Sequence, residues 1–441
     1  LRRHLIFAIS FFILAPVLTA SARAYQTPNP AANQLKSSDP DVRAKAAREL
    51  GKSGDFSAVA ALKGALTDPD VKVRREVVLA LAALHKAAAL EPLAAASRDS
   101  DTDIRDLAIQ CMVGYYTGQV PESGVTGFMK KNVHRAKGLI ISDDTRIDPG
   151  VTVDPVVLAA LQNDLAEGGS SDVQREAARG LGTLMARQAV PDLVKTAHGS
   201  DFDLARQALN SLAKIKDTSA GPLLIDLLDS RSEDVERDAA VTIGILQAHD
   251  GVAKMQLMFQ NGSDRKTKEK VLQGLAYLGD PASIPLFIQE LWSANKSFRI
   301  SAAEGLGRTG VKENVAELQK AATAEKDAEA KLAIQFALTD LGTNEYLDTL
   351  VEGLTSRLHA DTAETYLVEL SRNPEFLPKL YPYLNSNDAT IRRKLAVVLV
   401  STGDKTSIEP LQKLSHDSNN DVAAAALRAL SATRSRLNSN P

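Results

Sequence analysis

The chain has 441 residues, 44% apolar, 24% charged and 5% aromatic, well beyond the ~250–300 residues at which one hydrophobic core stops growing, so it must hold several domains or a repeat array. That composition excludes wholesale disorder, a collagen-like chain and a polytopic membrane protein. With 52 Lys+Arg against 55 Asp+Glu, the net charge of −3 gives no global field for nucleic acid or anionic lipid, and the single cysteine, Cys111, excludes an internal disulfide and a multi-thiolate metal site.

Residues 2–24 read RRHLIFAISFFILAPVLTASARA: two arginines, an apolar run from Leu5 to Leu18, then small residues ending Ala22-Arg23-Ala24. This is the order of a secretory signal peptide cleaved before Tyr25, and the run falls short of the ~20 apolar residues that span a bilayer. The expectation is a signal peptide over 1–24, a polar linker over 25–36, no membrane span after cleavage, and an exported protein, periplasmic or extracellular.

From Ser38 a phrase recurs. SDPDVRAKAARELGKSGDFSAVAALKGAL is echoed by TDPDVKVRREVVLALAALHKAAALEPLAAA, and later by GLAYLGDPASIPLFIQEL and LVSTGDKTSIEPLQKL. The apolar anchor closing each first half falls at Leu50, Leu81, Met112, Leu181, Leu212, Ile243, Leu275, Leu306, Leu338, Leu367, Leu399 and Leu430, with steps of 29 to 32 residues and a single step of 69. Within a unit, apolar residues at i, i+4 and i+8, such as Val42, Ala46 and Leu50, predict an amphipathic helix. Glycines at Gly51, Gly182, Gly279 and Gly342 suit a left-handed turn after it. Asp55, Asp217, Asp280 and Asp404 suit caps of a second helix, which tolerates proline near its start, at Pro92, Pro191, Pro222, Pro285 and Pro410. Helix, turn and helix every 31 residues make an all-α solenoid of about eleven units over 37–119 and 154–436, with a C-terminal half-repeat and a polar tail, 437–441. Stacked units bury a continuous core, and the second helices are expected to line the concave, functional face.

The phrase D-x-x-V-R-x-x-A-x-x-x-L-G-x-x-G-D-x-x-A-x-x-x-L resembles the HEAT-repeat family in its short form, similar to the repeats of phycobilisome lyase subunits, over about residues 37–436. The tenth unit, HADTAETYLVELSRNPEFLPKLYPYL, lacks the glycine turn and is shorter, so an unusual angle is expected there. HEAT-repeat enzymes that hold iron use His-Glu dipeptides, and none occurs here.

The long step marks an insertion, residues 120–153, inside the third unit. Long loops in compact domains are often functional, and this one gathers Lys130, Lys131, His134, Arg135 and Lys137 ahead of Asp143, Asp144 and Asp148. These five basic residues are candidates for partner binding. Ten of the twenty aromatic residues lie between Tyr277 and Tyr383; Phe287 and Phe336 fall on core stripes, whereas Trp292, Tyr346, Tyr381 and Tyr383 are candidate peptide anchors. Recurring pairs such as Asp41 with Arg43, Asp70 with Arg74, Asp103 with Arg105 and Asp234 with Arg237 read as a structural ladder, because a feature present in every unit serves the stacking. No HExxH, Walker A or GxSxG motif is present, and SxxK at Ser211, Ser263 and Ser293 lacks its companion motifs. No catalytic residue, metal or cofactor is assigned. The sequence reads as an exported scaffold that binds another protein or peptide, not nucleic acid, on its concave face. The alternative is an enzyme or enzyme accessory, lyase-like, with a site at the insertion built on His134 with Asp143 or Asp144.

Overall fold

The structure, a computed structural model, describes residues 30–55, 57–118, 146–148, 150–262 and 264–439. Residues 1–29, which hold the expected signal segment and the start of the linker, and residues 119–145, which take in most of the insertion, lie outside the described residues; the rest of the linker opens on a short helix, Pro30–Gln34, and packs Ala31, Ala32 and Leu35 on the core. Eleven helix pairs and a last single helix follow one another from Pro40–Lys52 and Ala58–Gly64 to Ala389–Thr402 and Ile408–Leu414, ending with Asn420–Ser439. The predicted solenoid is therefore the fold. The last helix continues to Ser439, so the presumed polar tail is largely helical.

Local chemistry sets the boundaries. Asp39, Asp70, Asp101, Asp327 and Asp388 each accept hydrogen bonds from backbone N–H groups that open a first helix, and Asp217, Asp280 and Asp404 do the same for second helices. Two second elements, Thr218–Asp229 and Leu377–Asn385, are wound as 3₁₀ helices around Pro222 and Pro382. Gly279 and Gly342 have the expected left-handed backbone, but Gly51 and Gly182 do not. They lie inside helices, where a Cβ would fall 2.7 Å from Ala80 Cα and 2.8 Å from Ser211 Cα. Their role is close approach of neighbouring units rather than turning. The left-handed turns fall instead on His85, Met185, Lys216 and Gln247, which sequence pattern does not reveal.

The predicted anchors form the core: Leu50, Leu81, Met112, Leu181, Ile243, Leu275, Leu306, Leu338, Leu367 and Leu399 are fully shielded from solvent. Cys111 is buried among them, and burial pushes its thiol up to about 12, the mark of an inert packing cysteine. Successive first helices lie against one another along their lengths, whereas successive second helices touch sparsely. The approach is closest where a Cβ on Gly244 would stand 2.2 Å from the Gly274 carbonyl oxygen. A curved stack is more closely spaced on its inner side, so the first helices line the concave face and the second helices the convex one. This reverses the expectation from sequence.

Candidate functional site

The recurring charges form the ladder that their recurrence suggested. Arg43 grips Asp68 with a two-bond fork, Nε–Oδ2 2.6 Å and Nη2–Oδ1 2.8 Å, while Nη1 donates to the Ser37 carbonyl. Arg74 with Asp99, Arg299 with Glu325 and Arg392 with Asp417 repeat the arrangement. Each rung ties the first helix of a unit to the loop that leaves it. Asp41 is not in a rung; it bonds Lys72 of the next unit at 2.6 Å.

The other units carry different residues at the arginine position, Gln174, Ala205, Glu236, Lys268 and Lys331 among them, and in the third unit the arginine is present, as Arg105, but its rung is not formed. In the third unit the carboxylate position, two residues before the helix cap, is occupied by Gly168. Arg105 lies against Gly169, and its buried Nε has no partner. One turn upstream, Asp164 is 2% exposed, its Oδ2 is also unpartnered, and burial pushes it up to about 6 against the charges of Arg98 and Arg105.

Two positions after each anchor, on the first-helix layer, stand Lys214, Ile245, Tyr277, Arg308, Asp340 and Glu369, each at least partly open to solvent, with Thr183 buried in the same row. In units seven to ten this row carries a polar cluster. Arg308 donates from Nε and Nη2 to Glu369 at 2.6 and 3.0 Å, and from Nη1 to Glu304 at 3.0 Å. Its guanidinium stands over the rings of Tyr277 and Phe336, 4.9 and 5.4 Å from their centroids, and Phe336 stacks on Tyr366 at 4.4 Å. The Tyr366 hydroxyl donates to Glu304 at 2.5 Å. Burial opposes the charge on Arg308, but Glu304 and Glu369 outweigh it and raise its pKa. Burial likewise works against the Glu369 carboxylate, and Arg308, Arg372 and Lys216 overcome it and hold it below the usual range. Asp340 opens onto the groove rather than the core, yet surrounding protein and the charge of Glu369 push it up to about 6. The Arg308–Glu369 pair joins unit eight to unit ten, past unit nine.

A strap crosses the same groove. Residues 146–148 and 150–153 lead from the insertion to the helix Pro155–Glu167 without regular structure, and the Val151 N–H donates to the Asp148 carbonyl at 3.2 Å, a turn that places Gly150 in the left-handed region. Ile147 N–H donates to the Thr183 carbonyl at 3.1 Å, Asp148 accepts two bonds from Arg428 at 2.6 Å each, and Ser435 donates to the Gly150 carbonyl. Ile147 and Val153 pack on the core.

Of the residues singled out in the sequence, Lys130, Lys131, His134, Arg135 and Lys137 lie outside the described residues, as do Asp143 and Asp144. Trp292 is half exposed and its indole N–H donates to Glu317 at 2.8 Å. Tyr346 is partly buried against the core. Tyr381 bonds Thr406 and Ser407, and Tyr383 donates to Asp348. Trp292 stands apart in unit seven, and all four belong to the second-helix, convex layer. The inner row escaped sequence reading because it is polar in some units and apolar in others, though its fixed offset from the anchors is legible once the concave side is known. Among the described residues, no group of three or more His, Cys, Asp or Glu could hold a metal, and no helix is long and apolar enough to cross a membrane.

Closely stacked inner helices, a splayed outer layer and an inward-facing polar row define an α-solenoid. More particularly, the chain belongs to the HEAT-repeat family, whose sequence model matches residues 28–112, 158–243 and 255–339, more than half of its length. It is similar to phycocyanobilin lyase subunit alpha of Nostoc sp. (strain PCC 7120), 30% identical over 204 residues, which span 46% of this chain and 65% of that relative. Among solved structures it is similar to the complex of CpcE and CpcF of phycocyanin lyase from Nostoc sp., at 19% identity and a TM-score of 0.30 over 80% of this chain and 98% of that one. It is also similar to the karyopherin Kap121p bound to the extreme C-terminus of the protein phosphatase Cdc14p, at 13% identity and a TM-score of 0.40 over 91% of this chain and 48% of that one. Neither structural likeness bears on function.

Proposed function

We propose that this protein is an exported, non-catalytic scaffold that binds another protein or a peptide within its concave groove. The observation that supports this reading most is the groove itself. Its walls carry charges of both signs with aromatic faces between them. Such a surface suits a polypeptide, whose backbone and side chains meet many modest contacts, with a few charged and aromatic residues carrying most of the affinity. The Arg2–Ala24 segment supports export. Mass spectrometry of the mature chain tests that element alone: a first residue at Tyr25 is expected, and retention of the preceding segment would remove it.

The binding reading is tested with two single substitutions in affinity capture from native envelope extract. Asp340→Lys reverses a charge open to the groove, whereas Leu257→Lys alters an exposed residue of the convex layer. Capture lost with the first and kept with the second is the expected result; the opposite pattern would move recognition to the outside.

A second reading, an enzyme accessory acting on a bilin, is favoured by the resemblance to the phycocyanobilin lyase subunit. Purified protein mixed with phycocyanobilin and passed over a sizing column would carry bilin absorbance with it if that reading holds.

A further inference from the structure

Each formed rung is a carboxylate-binding site filled from within the chain. The carboxylate takes two N–H bonds from the arginine fork. It takes a third from the backbone N–H of the residue that caps the next first helix: Asp70 to Asp68 at 2.9 Å, Asp101 to Asp99 at 2.8 Å, Asp327 to Glu325 at 2.9 Å and Asn419 to Asp417 at 2.8 Å. A guanidinium fork and a backbone donor converging on one carboxylate make a strong and geometrically specific seat. The seat opens at the surface, since these four carboxylate side chains are 7–10% exposed.

Between units three and four the donors are present and the carboxylate is not. Gly168 stands where the acid would be, two residues ahead of the cap Ser170, and brings no side chain to the seat. Arg105 is half-buried and gives Nη2 to the Thr102 hydroxyl at 3.2 Å, but its buried Nε has no partner. The Ser170 N–H, counterpart of the third donor in the formed rungs, makes no hydrogen bond among the described residues. Asp164 does not take the place of the missing acid. It is 2% exposed and its Oδ2 is unpartnered, as is Arg105 Nε, so the two do not bond each other there. A buried donor left unbonded costs stability, and an anion seated as in the other rungs would remove that cost.

We infer that Arg105 and the Ser170 N–H form a binding site for a carboxylate group that this chain does not supply, held by the bonds that Asp68, Asp99, Glu325 and Asp417 receive in the other rungs. The site lies at the junction of units three and four and stands independently of the groove as a partner-binding surface. The group it recognises is one planar anion with two accepting oxygens. A free small carboxylate and an aspartate or glutamate side chain of another polypeptide share that chemistry. The charges that face Asp164 are those of Arg98 and Arg105; both attract the incoming anion, whereas an ionised Asp164 repels it and limits its affinity.

The test uses the full chain at pH 7.5 with sodium acetate as the probe, against sodium chloride at equal ionic strength, read by saturation-transfer difference NMR of the acetate methyl group. Wild type should give a saturable signal. Arg105→Met, which keeps the apolar stem, should lose it, and Arg105→Lys, which keeps the charge without the fork, should bind roughly tenfold more weakly. Asp164→Asn should bind acetate roughly threefold more tightly or better, because the amide does not repel it. Thermal midpoints at or above that of wild type for the Arg105→Lys and Asp164→Asn variants exclude misfolding as the cause. No saturable signal from wild type, a signal that survives Arg105→Met unchanged, or weaker binding by Asp164→Asn overturns the inference. N-acetylaspartate methylamide, used in place of acetate, separates the sources. A gain of roughly tenfold over acetate assigns the site to an acidic side chain of another polypeptide, and equal affinity assigns it to a free carboxylate.

Discussion

Replacing Arg308 with methionine keeps the apolar stem that passes Tyr277 and Phe336 but removes the charge that joins units eight and ten. Two carboxylates lose their cation at once: Glu304, 14% exposed, and Glu369, 28% exposed. Removing one partner from a buried ion pair typically costs ~3–5 kcal/mol, because the survivor is stranded. The remaining access to solvent puts this site at the lower end, about 3 kcal/mol. A long repeat array need not unfold in one step, so the effect should be read locally, by hydrogen exchange in Lys296–Arg308 and Ala360–Leu370. Protection there should fall by roughly 100- to 200-fold, at ~1.4 kcal/mol for each factor of ten. The pH dependence has a definite sign. In the wild type Glu369 is held below its usual range, so its pairing stabilises above the unfolded value near 4.5 and is lost as pH falls through the lower folded value. In the variant, burial acts on Glu369 without Arg308, its pKa rises above the ordinary value, and the ionised form destabilises. The gap between the two proteins should thus be widest at pH 7–8 and narrow toward pH 4, and Arg308→Met/Glu369→Gln should recover part of it. Unchanged exchange in Ala360–Leu370, or a gap independent of pH, would refute the coupling of these units through Arg308.

Asp164→Asn should stabilise the protein at pH 7.5 by about 1–3 kcal/mol, since a group raised to about 6 is ionised there at a cost the amide avoids. The benefit should shrink between pH 6 and 4 and vanish below, as followed by denaturant titration at each pH. Gly244→Ala forces a methyl to within 2.2 Å of the Gly274 carbonyl oxygen, and overpacking of that kind costs ~1–3 kcal/mol or more; circular dichroism should show a lower midpoint, whereas Gly64→Ala, with open space around it, should not. His198 bonds Asp226 of the next unit at 3.0 Å; burial opposes its charge, but the Val194 carbonyl and Asp226 outweigh that and raise its pKa. Its contribution is present below pH 6.5 and fades as pH rises through the higher folded value, so the stability difference between wild type and His198→Gln should decline from pH 6 to pH 8 in urea titrations.

The stacking was legible because it is periodic. Leu50, Leu81 and their successors repeat at nearly constant spacing, and the ladder arginines follow a few residues behind the start of the units that carry them. What sequence could not supply was the side of the stack that curves inward, since amphipathic stripes show which face of each helix is buried but not which layer is the more closely spaced. That depended on Gly51, Gly182, Gly244 and Gly307, all of which meet the next first helix. In sequence two of these glycines look the same as turn residues. The aromatic residues drew attention to units seven to eleven with some reason, but Tyr277, not Trp292 or Tyr383, stands in the inner row, and Tyr366 is buried beneath it at 3% exposure. Tyr366 reaches Glu304 across 62 residues, a contact that no local pattern encodes.

Repetition also separates scaffolding from recognition. A residue that returns in several units, such as the ladder arginine of Arg43, Arg74, Arg299 and Arg392 or the capping aspartate, is held by the stacking those units need, and its loss should cost stability wherever it occurs. Departures from the repeat carry no such obligation. Three of them concern side chains of the inner layer: the Gly168–Gly169 step that leaves Arg105 without a rung, the short tenth-unit helix whose Glu369 meets Arg308, and the strap after the insertion. Arg308 draws units eight and ten together, and Asp148 draws units four and twelve together, so both fix the width of the groove.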